Sequence, residues 1–279
     1  MQNASSLHAK LLNIARQEGL EFQLLINRFG AEQFLARLSQ SAFAQKFVFK
    51  GGALLAYLID TDRKTKDLDF TIKHQSNQVD EVAAIIKSVL ETPVDDCIDW
   101  GEIEGSSLTH PDMDYPGVRI ICHFLLEKMR GRVQMDMAIG EVDEATRIPL
   151  KRIRYKNAPL MGPDFSILSY PRELIFAEKL QIAVAKKENN TRMRDFYDLF
   201  KLLNHGLDDV LLKTCLTSVF SKRETTLITE FKLDDQGFSK LQKYWEAYIT
   251  KAKLVGAPQE VAAIISMVNV RLKKLYERK

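Results

Sequence analysis

Apolar side chains recur at helical spacing between residues 7 and 43: Leu11, Leu12, Ile14 and Ala15, then Phe22, Leu24 and Leu25, then Phe34, Leu35 and Leu38. The pattern predicts two helices with a break near Gly30. Phe47 to Phe49 predicts a short strand, Ala53 to Ile59 a helix, and the alternating stretch Lys66 to Lys73 a second strand. Val79 to Leu90 is amphipathic and predicts another helix. Asp95 to Pro116 is polar and interrupted by Gly101, Gly105, Pro111 and Pro116, so it predicts a long loop or an irregular strand pair. VRIICHFLL (Val118 to Leu126) and RVQMDMAI (Arg132 to Ile139) flank EKMRG and predict strand, turn, strand. KRIRYKNAPLMG reads as a basic, extended connection. From Pro171 onward, RELIFAEKLQIAVAKK, RDFYDLFKLLNH, DDVLLKTCLTSVFS and the closing pattern to Lys279 are helical. The expected class is α+β, with helices at 1–44 packed on an α/β domain at 45–150 and a C-terminal helical domain at 151–279.

Composition narrows the picture. At 279 residues the chain has room for one large domain or two smaller ones, and its apolar and charged content is that of a globular protein. A net charge of +3 leaves any nucleic-acid argument to local patches. Cys97, Cys122 and Cys215 form no C-x-x-C pair, and their odd number argues for a reducing, cytoplasmic setting. The histidines have no zinc-binding spacing. No leader-like apolar core is expected at the N-terminus, and no run approaches the roughly 20 apolar residues of a membrane span.

Candidate chemistry concentrates in KGGALLAYLIDTDRKTKDLDF, from Lys50 to Phe70. Gly51 and Gly52 follow a strand and precede a helix, where backbone amides and the helix dipole suit a phosphate; a plain turn is the alternative. Asp67 and Asp69 share one face of the following strand, while Leu68, Phe70 and Ile72 take the other. A divalent cation would relieve the repulsion between such carboxylates, and Mg²⁺ (or Mn²⁺) suits carboxylate and phosphate oxygens; a solvated strand face is the alternative. In RVQMDMAIG, Asp136 is a lone acid amid apolar residues, which is costly unless it is paired or ligates metal; a surface acid on an edge strand is the alternative. A neighbouring antiparallel strand is expected to bring Asp136 beside Asp67 and Asp69. The three acids would then hold two metal ions for a phosphoryl displacement. Asp112 and Asp114, flanked by prolines, read as a polar loop.

These residues resemble the polymerase-β-like nucleotidyltransferases, and more narrowly the AbiEii/AbiGii toxin family. Lys50, Gly51, Gly52, Arg63, Thr65, Asp67, Leu68 and Asp69 match its K-G-G, helix, R-x-[ST]-x-D-L-D pattern. Ala177, Glu178 and Lys179 resemble its Ala-Glu-Lys helix, and Arg194, Asp195 and Asp198 its R-x-x-D-x-x-D-L motif. Matching motifs run from about residue 45 to 204. The resemblance implies a nucleotidyltransferase-type mixed or antiparallel sheet and a metal-dependent transfer of a nucleoside monophosphate from an NTP. It also implies a cognate antitoxin and, for some relatives, a tRNA 3′ end as acceptor.

Within that frame, Lys179 is expected to place a point charge on the triphosphate; a surface lysine paired with an acid one turn away is the alternative. Asp195 and Asp198 lie on one side of a helix. One of them is expected to anchor Lys179 or Arg63, with substrate contact or helix capping the alternatives for Asp195. Arg63 and Thr65 would position the loop and the nucleotide phosphates. Dispersed basic groups would attract RNA if folded onto one side: Lys151, Arg152, Arg154 and Lys156; Lys186, Lys187, Arg192 and Arg194; Arg271, Lys273, Lys274, Arg278 and Lys279. Transfer to a small molecule or a protein hydroxyl, and a binding module without turnover, remain open at this level.

Overall fold

The N-terminal apolar pattern folds as two helices, α1 (Ala4–Gln17) and α2 (Phe22–Gln40), but they do not part at Gly30. The break falls at Gly19, whose φ of 63° ends α1 in the left-handed conformation that glycine adopts freely. Gly30 lies inside α2, where a Cβ would stand 2.3 Å from the Phe124 ring. Close packing, not helix termination, requires that glycine. The structure is a computed structural model and describes residues 4–59, 67–108, 117–254 and 256–277.

The strands are β1 (Phe47–Lys50), β2 (Asp67–Ile72), β3 (Ile98–Leu108), β4 (Gly117–Leu126), β5 (Met129–Ile139), β6 (Thr146–Leu150), the short pair β7 (Arg154–Tyr155) and β8 (Ala158–Pro159), and β9 (Phe165–Ser169). Helix α3 (Gly51–Leu58) follows β1 directly, and α4 (Val79–Leu90) follows β2. Among the described residues seven strands form one sheet in the order β3-β4-β5-β2-β1-β9-β6. It is mixed: β2 runs parallel to β5 and β1 to β9, and the other neighbours are antiparallel.

Strand alternation sets the faces. Val118, Ile120, Cys122 and Phe124 of β4, with Val133, Met135 and Met137 of β5 and Leu68 and Phe70 of β2, are buried in the core. Burial pushes the Cys122 thiol up to about 12, as expected of a packing residue. Arg119, Gln134, Asp136, Asp67 and Asp69 alternate with them and lie on the other face. The segment expected as a loop or irregular pair contains the 11-residue edge strand β3. It is mostly exposed, and a register shift between Trp100 and Ile103 breaks its alternation, so its apolar period is invisible along the chain.

The chain divides into two compact units, Met1–Tyr57 with Arg63–Tyr170, and Leu58–Asp62 with Pro171–Lys279. The second contains α5 (Arg172–Lys186), a single 3₁₀ turn, α6 (Met193–Asn204), α7 (Asp209–Lys222), α8 (Asp235–Ala252) and α9 (Val261–Glu277). Asp208 and Asp234 cap α7 and α8 by accepting from the amides of Leu211 and Gly237. The fully buried Trp245 indole donates to the Pro258 carbonyl. Among the described residues no helix is long and apolar enough to cross a membrane.

Candidate active site

The register of four strands aligns one row of side chains across the sheet. Lys50 of β1 pairs with Asp69 of β2, Asp69 with Asp136 of β5, and Asp136 with Arg119 of β4. Paired positions carry side chains on the same face, so Asp69 and Asp136 are immediate neighbours one strand spacing apart, about 4.8 Å. Asp67 is one step along β2, in register with Gln134. The expectation of an antiparallel neighbour is corrected: β5 reaches β2 as a parallel strand, because β4 and β5 form a hairpin whose second strand inserts beside β2.

Gly51 closes the site from the β1 side. Its φ is 73°, and a Cβ there would lie 2.0 Å from Asp69 Oδ2. Gly51 of the glycine pair and Asp69 of the aspartate pair are thus in contact. Gly51 and Gly52 occupy the first turn of α3, where amides lack helical acceptors and favour an anion. Lys50 extends its ammonium over the Tyr170 ring, 5.6 Å from the centroid.

Arg119 was missed by sequence reasoning. Its Nε and Nη2 donate to Asp136 Oδ1 and Oδ2, each at 2.7 Å, a two-pronged contact. These hydrogen bonds hold its pKa above the ordinary value, and the charges of Asp136, Asp67 and Asp69 add to them. The sequence placed the turn over EKMRG, whereas the structure makes it tighter and so fixes the register. A two-residue turn at Glu127 and Lys128 pairs Leu126 with Met129 and, counting back, Arg119 with Asp136.

Among the described residues no three His, Cys, Asp or Glu side chains converge as a ready metal cage. The donor chemistry nevertheless fits a hard divalent cation. Two carboxylates stand side by side on one face, and such an ion completes its shell with water and substrate phosphate. Asp69 would supply one oxygen ligand and Asp136 another, with Asp67 beside them. Arg63, Thr65, Asp112 and Asp114 lie outside the described residues.

In the second unit, Lys179 of α5 meets both acids of α6. Its Nζ is 2.7 Å from Asp195 Oδ1 and 2.8 Å from Asp198 Oδ2. Both carboxylates are almost fully buried, and the lysine side chain is 12% exposed. Arg192 Nε lies 2.9 Å from Asp195 Oδ2. The i, i+3 spacing of the acids on α6 makes this clamp possible.

Parts of the basic stretches are engaged internally. Arg152 is buried, donating to the Pro163 carbonyl and Gln33 and stacking on Phe165. Arg154 pairs with Asp164, and Arg271 with Asp209. Lys151, Lys156, Arg194, Lys273 and Lys274 are exposed. Arg278 and Lys279 lie outside the described residues.

Residues 33–265 match the family model described as nucleotidyl transferase AbiEii toxin, type IV TA system. Two solved structures share the fold. A nucleotidyltransferase from H. pylori superposes with a TM-score of 0.50 at 15% identity, covering 93% of this chain and 97% of that one. JHP933 from Helicobacter pylori superposes with a TM-score of 0.51 at 17% identity, covering 93% and 94%. No curated protein matches the chain in sequence.

Proposed function

Because the chain belongs to the AbiEii nucleotidyltransferase toxin family of type IV toxin–antitoxin systems, we propose that it transfers a nucleoside monophosphate from an NTP to an RNA acceptor, foremost tRNA. The observation that carries the reading is the register pairing of Asp69 with Asp136, next to the Gly51 turn.

Asp69 and Asp136, with Asp67, are assigned as ligands of Mg²⁺ or Mn²⁺. Such an ion would neutralise phosphate charge and polarise the acceptor oxygen. The Gly51–Gly52 turn receives phosphate oxygens on its amides. Lys179 is assigned as a point charge for phosphate, with Asp195 and Asp198 fixing its position. Arg63 and Thr65 retain the role of positioning nucleotide phosphates. The expected boundary at 150 moves, because β7, β8 and β9 belong to the first unit, which reaches Tyr170: we assign residues 1–170 to the catalytic half and 171–279 to the helical domain. The acceptor is RNA, which the exposed lysines and arginines favour, and the setting is cytoplasmic. Toxicity restrained by a cognate antitoxin follows from membership of the family.

The test is incubation of the purified protein with total tRNA, Mg²⁺ and each α-labelled NTP in turn, with Asp69→Asn as control. Label entering RNA only with the unaltered protein supports the reading and names the nucleotide. Label on protein or a small molecule instead would replace the acceptor. No transfer to any acceptor would reduce the protein to a binding module.

A further inference from the structure

Asp136 of the acid row already holds a cationic side chain. Both of its oxygens accept from Arg119, at 2.7 Å each. The Asp136 side chain is 19% exposed, so this contact takes up much of what the carboxylate can offer. A divalent ion binding Asp136 needs at least one of those oxygens. The same guanidinium feels the charges of Asp67 and Asp69, so it lies within the field that would draw the ion.

We propose that Arg119 is a resting occupant of the metal site: its guanidinium holds Asp136 in place of the divalent cation and withdraws when the cation enters. Arg119 is then a positioning residue that acts through Asp136, and cation binding and guanidinium withdrawal are one equilibrium. The arrangement has a physical logic. An arginine fork satisfies both carboxylate oxygens and fixes the carboxylate on the sheet face it shares with Asp69. It also relieves the repulsion between Asp136 and the neighbouring Asp69. The cost falls on metal affinity, since the ion must displace a charge-assisted pair. The arginine sits on β4, opposite Asp136 in a hairpin register that a two-residue turn enforces. It cannot slide away along the strand; only its side chain can swing. This inference rests on the reading of Asp136 as a metal ligand.

The experiment measures Mn²⁺ binding to the full chain without nucleotide, by electron paramagnetic resonance of free Mn²⁺. It compares the unaltered protein with Arg119→Ala, Arg119→Lys and Asp136→Asn, each checked for fold by circular dichroism. Arg119→Ala is expected to tighten Mn²⁺ binding about tenfold, the scale of one charge-assisted pair. Arg119→Lys keeps the charge but loses the fork, and is expected to tighten it as well, by a smaller factor. Asp136→Asn is expected to weaken it. If neither Arg119 variant tightens binding, the proposal fails while the ligand assignment stands. If only Arg119→Ala does, the arginine acts as a distant field and occupancy is overturned. If Asp136→Asn leaves binding unchanged, the ligand assignment itself fails and the proposal with it.

Discussion

Gly51 and Asp69 are in contact at the strand–helix turn: the space a Cβ would take at residue 51 is filled by the Asp69 carboxylate, 2.0 Å away. Gly51→Ala therefore acts on the aspartate as well as on the turn. It adds the strain of a non-glycine residue at φ 73°, about 1–2 kcal/mol, and pushes Asp69 from its register position. Nucleotidyl transfer is expected to fall about 100-fold, the usual consequence of displacing a reacting group by about 1 Å. Label transfer and a melting curve on the same preparation measure the two effects separately.

Lys179 stands between two buried carboxylates, so its removal affects stability before chemistry. Lys179→Met is expected to cost about 3–5 kcal/mol in urea denaturation, the scale of breaking a buried ion pair from one side. Adding Asp198→Asn should recover part of that loss. A loss that the second change does not touch would mean the lysine and Asp198 are not energetically coupled.

Glu32 of α2 gives the first unit a pH dependence of predictable sign. Burial raises its pKa from 4.5 to about 7, opposed by the Ile153 amide and by Arg152. Between those values the unfolded chain releases the proton and the folded chain keeps it. The contribution is fully present below pH 4.5 and is lost as pH rises through about 7, a span worth about 3 kcal/mol. The melting temperature should fall between pH 5 and pH 8, and Glu32→Gln should flatten that slope.

Gly30→Ala pits helix propensity against packing. Alanine gains about 1 kcal/mol in a helix interior. Here its methyl would meet the Phe124 ring at 2.3 Å, and the ring also fills the space a Cβ would take at Gly131, where it would stand 2.1 Å away. Overpacking of about 1–3 kcal/mol is expected to prevail, so the variant melts lower. Combining it with Phe124→Leu should relieve the clash.

Much of this protein was legible before any coordinates. Helices α4, α5, α6 and α7 and strands β1, β2, β4 and β5 follow from local apolar period, because each has one buried side whose spacing is written in the chain. The helix after the glycine pair and the face shared by Asp67 and Asp69 follow from the same rule. β3 did not follow: it is a mostly exposed edge strand and a bulge interrupts its alternation, so what holds it is tertiary, the pairing with β4 and the packing of α4 and Arg37 against it. The basic stretch after Pro149 misled in another way, since Arg152 is buried by partners from α2 far away in sequence.

The sequence alone determined which residues could carry the chemistry, because carboxylate spacing on a strand and glycine at a turn are local properties. Tertiary structure decided which of them meet. Asp69 and Asp136 become neighbours only because β5 inserts beside β2 as a parallel strand. Arg119 joins them through a hairpin register, and Gly51 through the pairing of β1 with β2. Those adjacencies come from hydrogen-bonded strand order, and no period within a single segment contains it.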